Sequence, residues 1–104
     1  MGSFPQLGQL VFSRSGRDKG RHYIVVGYQD GRVLVADGIT RKMDRPKKKN
    51  PLHLKCRKRL DEELKVKLET TGKVTNSELR GALAKLLEQE NNTTPEQGGE
   101  EKLG

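Results

Sequence analysis

Residues 8–26 read Gly8-Gln-Leu-Val-Phe-Ser-Arg-Ser-Gly16-Arg-Asp-Lys-Gly20-Arg-His-Tyr-Ile-Val-Val26. Two apolar, partly β-branched runs flank a basic stretch with two glycines, the pattern of strand, loop and strand. The first strand is expected over Gly8–Ser13 and the second over His22–Tyr28. Behind them, Asp30-Gly31 favours a two-residue type I′ hairpin into a third strand over Arg32–Ala36. Asp37-Gly38 marks another turn, followed by a short fourth strand over Thr40–Met43 and a fifth over Leu52–Cys56. Five short strands without an intervening helix point to a small barrel or rolled sheet, because closure removes exposed edges.

The tone changes after Arg59. Leu60, Leu64 and Leu68 recur every fourth residue with acids in the first turn, which predicts a helix ending near Gly72. Thr75 and Glu78 fit a capping box ahead of the stripe Leu79, Ala82, Leu83, Leu86 and Leu87, which predicts a second helix. From Asn91 the residues are polar, and a disordered tail is expected over 91–104. The expected organisation is therefore mainly β: a basic barrel over 1–59, two short helices over 60–90, and the tail.

Charge follows the same division. The chain has 104 residues and a net charge of +7, yet 15 Lys and Arg stand against 4 Asp between Arg14 and Arg59, while acids outnumber bases 10 to 6 from Leu60 onward. A positive charge so concentrated suits a polyanion surface, and nucleic acid is favoured over an anionic membrane. The basic cluster lies in a Pro-broken stretch rather than on an amphipathic helix, which weakens a membrane role. No apolar run is long enough to span a bilayer, no signal peptide is apparent, and Gln6 stands where a myristoylation motif wants Ser or Thr. The single Cys56 fits a reducing compartment, so a cytoplasmic monomer is the expectation.

Two segments carry the candidate contacts. In the first, Arg14, Arg17, Lys19 and Arg21 surround Gly16 and Gly20. Glycines let phosphates approach backbone N–H groups, and the cations supply charge-assisted bonds to phosphate oxygens. The competing reading is a well-solvated hairpin loop. The second segment holds Arg41, Lys42, Arg45, Lys47, Lys48 and Lys49, continued by Lys55, Arg57, Lys58 and Arg59. Pro46 and Pro51 keep it extended, although a charge run is often only a solvated face. Binding through these groups should be steeply salt-dependent.

Aromatic residues are few, namely Phe4, Phe12, Tyr23 and Tyr28. Phe12 and Tyr28 are expected in the barrel core. Tyr23 is the best stacking candidate, although Val25 shares its parity and competes to draw it inward. Recognition by nucleic-acid shape and backbone is favoured over a sequence code. His22, His53 and Cys56 fall short of a four-ligand zinc site, so no metal or other cofactor is expected. Asp18 and Asp37, each beside turn glycines, read as turn formers rather than catalytic acids, and no catalytic constellation emerges. Cys56 reads as a small buried hydrophobe.

The stretch Gly8 to Val26 also resembles a KOW motif, the strand–loop–strand unit of several ribosomal proteins and NusG-type transcription factors. Val35-Ala36-Asp37-Gly38, then Arg41-Lys42 and Arg45 to Leu54, is similar to archaeal and eukaryotic large-subunit ribosomal proteins of the fourteen-e type and to their small bacterial relatives. The resemblance covers roughly residues 7–56. It implies an SH3-like barrel whose first loop meets RNA through Gly16, Arg17, Lys19, Gly20 and Arg21, with ribosomal RNA and possible neighbouring ribosomal proteins as partners. The other reading is a protein-interaction adaptor, NusG-like, in which the leucine stripes dock a partner helix. That reading needs Leu79, Leu83 and Leu86 to be uncovered.

Overall fold

The computed structural model describes residues 4–93, with side chains through Glu90. Five antiparallel strands form one sheet: β1 (Gln9–Ser13), β2 (His22–Gln29), β3 (Arg32–Ala36), β4 (Lys47–Lys49) and β5 (Leu54–Leu60). Their spatial order is β4-β3-β2-β1-β5, so the last strand returns to pair with the first. Two helices follow, α1 (Glu62–Thr71) and α2 (Asn76–Thr93). The expected disorder over 94–104 lies outside the described residues, while Asn91–Thr93 continue α2.

Both faces of this sheet are covered, which explains the unbroken Tyr-Ile-Val-Val run in β2. Val11, Tyr23, Val25, Val33, Val35 and Leu54 form a cluster on one side. Leu10, Ile24, Val26 and Ala36 face the other way and meet Leu64 and Leu68 of α1 and Leu79, Ala82, Leu83 and Leu86 of α2. Truncating Leu79 or Leu86, both essentially inaccessible, to Ala should cost about 2–5 kcal/mol. The stripe of α2 is thus spent on the sheet.

The sheet curls. In a flat sheet β4 and β1 would lie about 14 Å apart, three strand spacings. Yet the Lys49 ammonium on β4 donates to Ser13 Oγ at the end of β1 over 3.1 Å. Irregular register opposite Gln9–Val11 and between Val25 and Gly27 supplies the extra residues that bend the strands into this barrel-like roll.

Local signals account for most boundaries. Asp30 and Gly31 take φ values of 52° and 75°, and Gln29 pairs with Arg32, as a two-residue type I′ hairpin requires. Thr75 N–H donates to Glu78 Oε1 and Glu78 N–H to Thr75 Oγ1, completing the capping box. Asp61 caps α1 by accepting from Leu64 N–H, and Gly72 ends it in the left-handed region.

Three boundaries differ from expectation. Thr40–Met43 is not a strand: the Asp37 carboxylate accepts from Ile39 N–H, Arg41 N–H and Thr40 Oγ1, curling the chain into a loop that a ladder cannot use. The fourth strand is instead Lys47–Lys49, paired with Val33–Val35. Leu52 and His53 belong to a 3-10 turn over Pro51–His53, capped by the Asn50 side chain, so the fifth strand starts at Leu54 and runs to Leu60. Leu60 accordingly pairs with Gln9 in the sheet and is not the first leucine of a helix.

Candidate nucleic-acid interface

The loop between β1 and β2 is held by one carboxylate. Asp18 is buried, and its Oδ1 accepts from Ser13 Oγ (2.8 Å) and Lys49 Nζ (3.1 Å). Its Oδ2 accepts from Tyr23 Oη (2.9 Å) and lies 3.1 Å from Lys47 Nζ. Burial alone would raise the pKa of Asp18, but hydrogen bonds from Ser13, Lys47, Tyr23 and Lys49 outweigh it and hold the carboxyl well below the usual range. The same contact acts in the opposite sense on its neighbour. Burial, then the hydrogen bond to Asp18 and its charge, push the Tyr23 phenol up to about 12.

With Asp18 turned inward, Arg17 and Lys19 on either side are exposed. Backbone bonds close the loop: Ser13 N–H donates to Arg21 O, Gly20 N–H to Ser13 O and Arg21 N–H to Asp18 O. The second loop is anchored in the same region. Gly38, at φ 79°, packs so tightly that an added Cβ would sit 2.5 Å from the Asn76 carbonyl oxygen of α2. Arg80 of α2 donates to Gly38 O (3.0 Å), and Met43 N–H to Asn76 Oδ1 (2.7 Å).

The two loops meet at a cleft of about 370 Å³ lined by Arg17, Asp18, Arg21, Tyr23, Thr40, Arg41 and Lys47. Arg21 Nη1 donates to Thr40 Oγ1 across it (3.2 Å). Among the described residues Asp18 is the one acid in its wall, and both its oxygens are engaged by Ser13, Tyr23 and the two lysines. Among the described residues no carboxylate lies within ion-pair distance of Arg17, Arg21 or Arg41. Three guanidinium groups with five donors each therefore face a site whose single negative charge is already compensated. That arrangement suits phosphate oxygens.

The remaining candidates fall into distinct places. Lys42, Arg45 and Lys48 are exposed but do not line this cleft. Arg14, Lys19 and Gly20 line a second cleft of about 360 Å³ with Phe12, Ser13 and Lys55. Gly16 and Gly20 both have positive φ, at 89° and 90°, and the Gly20 N–H is spent on the Ser13 carbonyl rather than offered outward.

Two expectations are corrected. Tyr23 is 2% exposed, so its ring offers no stacking surface. Val25 does draw it inward, into the same apolar cluster, and Asp18 satisfies its hydroxyl there. Lys49 is 7% exposed and bound to Asp18 and Ser13, so its ammonium cannot reach a phosphate. Lys47 shares that carboxylate but still lines the cleft. Alternation along β4 leaves Lys48 pointing outward.

The aromatic residues also exchange places. Tyr28, expected in the core, is 46% exposed; its hydroxyl donates to Pro5 O (2.6 Å) and its ring meets Phe4 at 5.5 Å. Phe12 is half-buried and stacks on His22 with ring centroids 5.6 Å apart. Arg57 lies 5.3 Å from the Phe12 centroid. Among the lining residues, Thr40 and Ser13 carried no functional expectation in the sequence, Asp18 read only as a turn former, and Phe12 was expected in the core. The alternation of Leu10 with Phe12 was the available signal, since it places Phe12 at the open end of the helix-covered face.

Cys56 is half-buried and burial pushes its thiol up, which does not favour a reactive thiolate. Among the described residues no group of three His, Cys, Asp or Glu side chains could hold a metal ion, and no helix is long and apolar enough to cross a membrane. In comparisons with known proteins no family model matches the chain and no curated protein matches it.

Proposed function

We propose that this protein binds RNA without catalysing a reaction, holding the phosphate backbone of a folded RNA between its two basic loops. The observation that carries the reading is the convergence of Arg17, Arg21, Arg41 and Lys47 on one cleft, with the three arginines free of carboxylate partners among the described residues. Phosphate contacts position a protein on RNA without reading its sequence, and a rigid pair of loops selects for the spacing of phosphates instead. The resemblance to KOW-type ribosomal proteins directs the proposal toward ribosomal RNA and the translation machinery. The adaptor reading needs an uncovered leucine stripe, and Leu79, Leu83 and Leu86 are buried in the core shared with the sheet.

Ribosome sedimentation tests the proposal. The protein should travel with a ribosomal subunit at low salt and leave it at high salt. Four phosphate contacts would weaken binding about 50- to 150-fold for a fourfold rise in salt. Replacing Arg17, Arg21 and Arg41 together by Ala should release the protein from RNA while its thermal unfolding is little changed. Retention of full affinity by that variant would remove the cleft from the binding site; absence from the ribosomal fractions at every salt concentration would exclude the ribosomal target.

A further inference from the structure

We propose that the Phe12 cleft is a second subsite, which stacks an unpaired nucleobase beside the phosphate-binding loops. The inference rests on the RNA-binding reading above but on different residues. Phe12 of β1 pairs in register with His22 of β2 on one side and Lys55 of β5 on the other, so the three side chains share one face of the sheet. On that face the ring of Phe12 lies stacked on His22, with 27° between their planes, and the Arg57 guanidinium stands over the phenyl ring. Three flat π groups are thus gathered at the end of the face that the helices otherwise cover.

Two features distinguish this cluster from ordinary core packing. Phe12 is half-buried, whereas Leu10 before it and Ile24 on the neighbouring strand are inaccessible. The cleft beside it, about 360 Å³, falls within the usual range for small-ligand sites and is walled by Arg14, Lys19 and Lys55. Gly20 leaves that wall open, since an added Cβ there would meet nothing within 4 Å. Arg57 is tethered by a 3.1 Å ion pair to Glu90 of α2, which orders its plane without filling the cleft. Burial and the charge of Arg57 push the His22 pKa down against the charge of Glu90, which favours the uncharged imidazole.

Bases splayed from an RNA stack on aromatic rings and guanidinium planes while nearby cations hold the flanking phosphates. Phe12, whose ring packs against His22 and Arg57, supplies the first element, and Arg14, Lys19 and Lys55 the second. Lys19 of this cleft and Arg17 of the phosphate cleft sit on the same loop, so the two sites share one connection.

The test compares two probes with equal numbers of phosphates, a ten-nucleotide oligoadenylate and an abasic strand of the same length. The full-length protein should bind the oligoadenylate about tenfold more tightly, the effect of one stacked base. In Phe12→Leu that ratio should fall to about one. The chain contains no tryptophan, so Phe12→Trp provides a single reporter whose emission the oligoadenylate should quench and the abasic strand should not. Equal binding of the two probes by the unaltered protein, a ratio that survives in Phe12→Leu, or indole emission from Phe12→Trp that stays unquenched at saturation would each overturn the subsite. The Arg17, Arg21 and Arg41 triple variant separates the two proposals: it should weaken both probes in parallel while keeping their ratio. If its affinities are unchanged while the ratio still depends on Phe12, the phosphate cleft fails and the base subsite stands.

Discussion

Asp18 and Asp37 look alike in the sequence, each a short acid within two residues of a glycine in a basic turn, and the structure uses them in opposite ways. Asp37 binds its own loop, accepting from groups two to four residues away. Asp18 binds the barrel, accepting from Ser13 and Tyr23 and from two lysines on a strand that follows about thirty residues later. Asp37 therefore shapes a turn, while Asp18 fixes a loop to the rolled sheet and sets the inward and outward sides of its neighbours. Both carboxylates are equally buried, so the difference lies in the donors: Asp18 is met by hydroxyls and two ammonium groups from other strands, whereas Asp37 is satisfied by amides and a hydroxyl of its own segment.

The contrast predicts unequal costs. Asp18→Asn leaves the Lys49 ammonium buried without its counter-ion and should destabilise the protein by about 3–5 kcal/mol. For a domain of this size the melting temperature should fall by at least about 12 °C in a thermal scan. Adding Lys49→Met to that variant should recover part of the loss, because an apolar side chain of similar length needs no partner. Failure of the second change to recover any stability would show that Lys49 is not the stranded charge.

Gly38→Ala tests the other loop through its backbone. The alanine would need positive φ and would meet the Asn76 carbonyl, so a loss of about 1–3 kcal/mol is expected from denaturant unfolding. Asp37→Ala, which surrenders only local bonds whose amides can turn to water, should cost about 1–2 kcal/mol. If it cost as much as Asp18→Asn, the distinction between the two aspartates would collapse.

Acid and alkali probe the same network from opposite ends. The folded-state pKa of Asp18 lies below its ordinary value of 3.8, so its contribution is complete above that pH and is lost as the pH falls further. Tyr23 is shifted upward, from 10.0 to about 12, so its contribution is complete below pH 10 and fades as the pH rises toward 12. Urea titrations across both windows should show Asp18→Asn flattening the acid limb and Tyr23→Phe flattening the alkaline one. The smallest expected effect on stability belongs to Arg17→Ala, within about 0.5 kcal/mol, even though this residue lines the proposed RNA cleft.

How far the sequence could be read depended on the range of the interaction. The Asp30-Gly31 hairpin, the Thr75–Glu78 capping box and the leucine stripe of α2 were legible because each rests on residues within a turn or two of one another. The extent of β4 and β5 was not. Asp37 takes the amides of Ile39 and Arg41 and the Thr40 hydroxyl, and the pairing of Lys47–Lys49 with Val33–Val35 arises only once the sheet forms. Among the candidate contacts, Arg17, Arg21 and Arg41 are exposed as a basic loop should be. Tyr23 and Lys49 are not, because alternation sends them toward an interior that contains Asp18.

By itself the sequence determined a basic β module followed by two amphipathic helices, with turns written in Gly, Asp and Pro and a surplus of cations in the loops after its first and third strands. These features follow from propensity, periodicity and charge, which act over a few residues. Only the tertiary structure decided which cations remain outward and which aromatic rings turn inward, because those outcomes depend on the curl that brings Lys49 to Ser13 and Asp18, buries Tyr23, and leaves Phe12 half-buried and Tyr28 exposed.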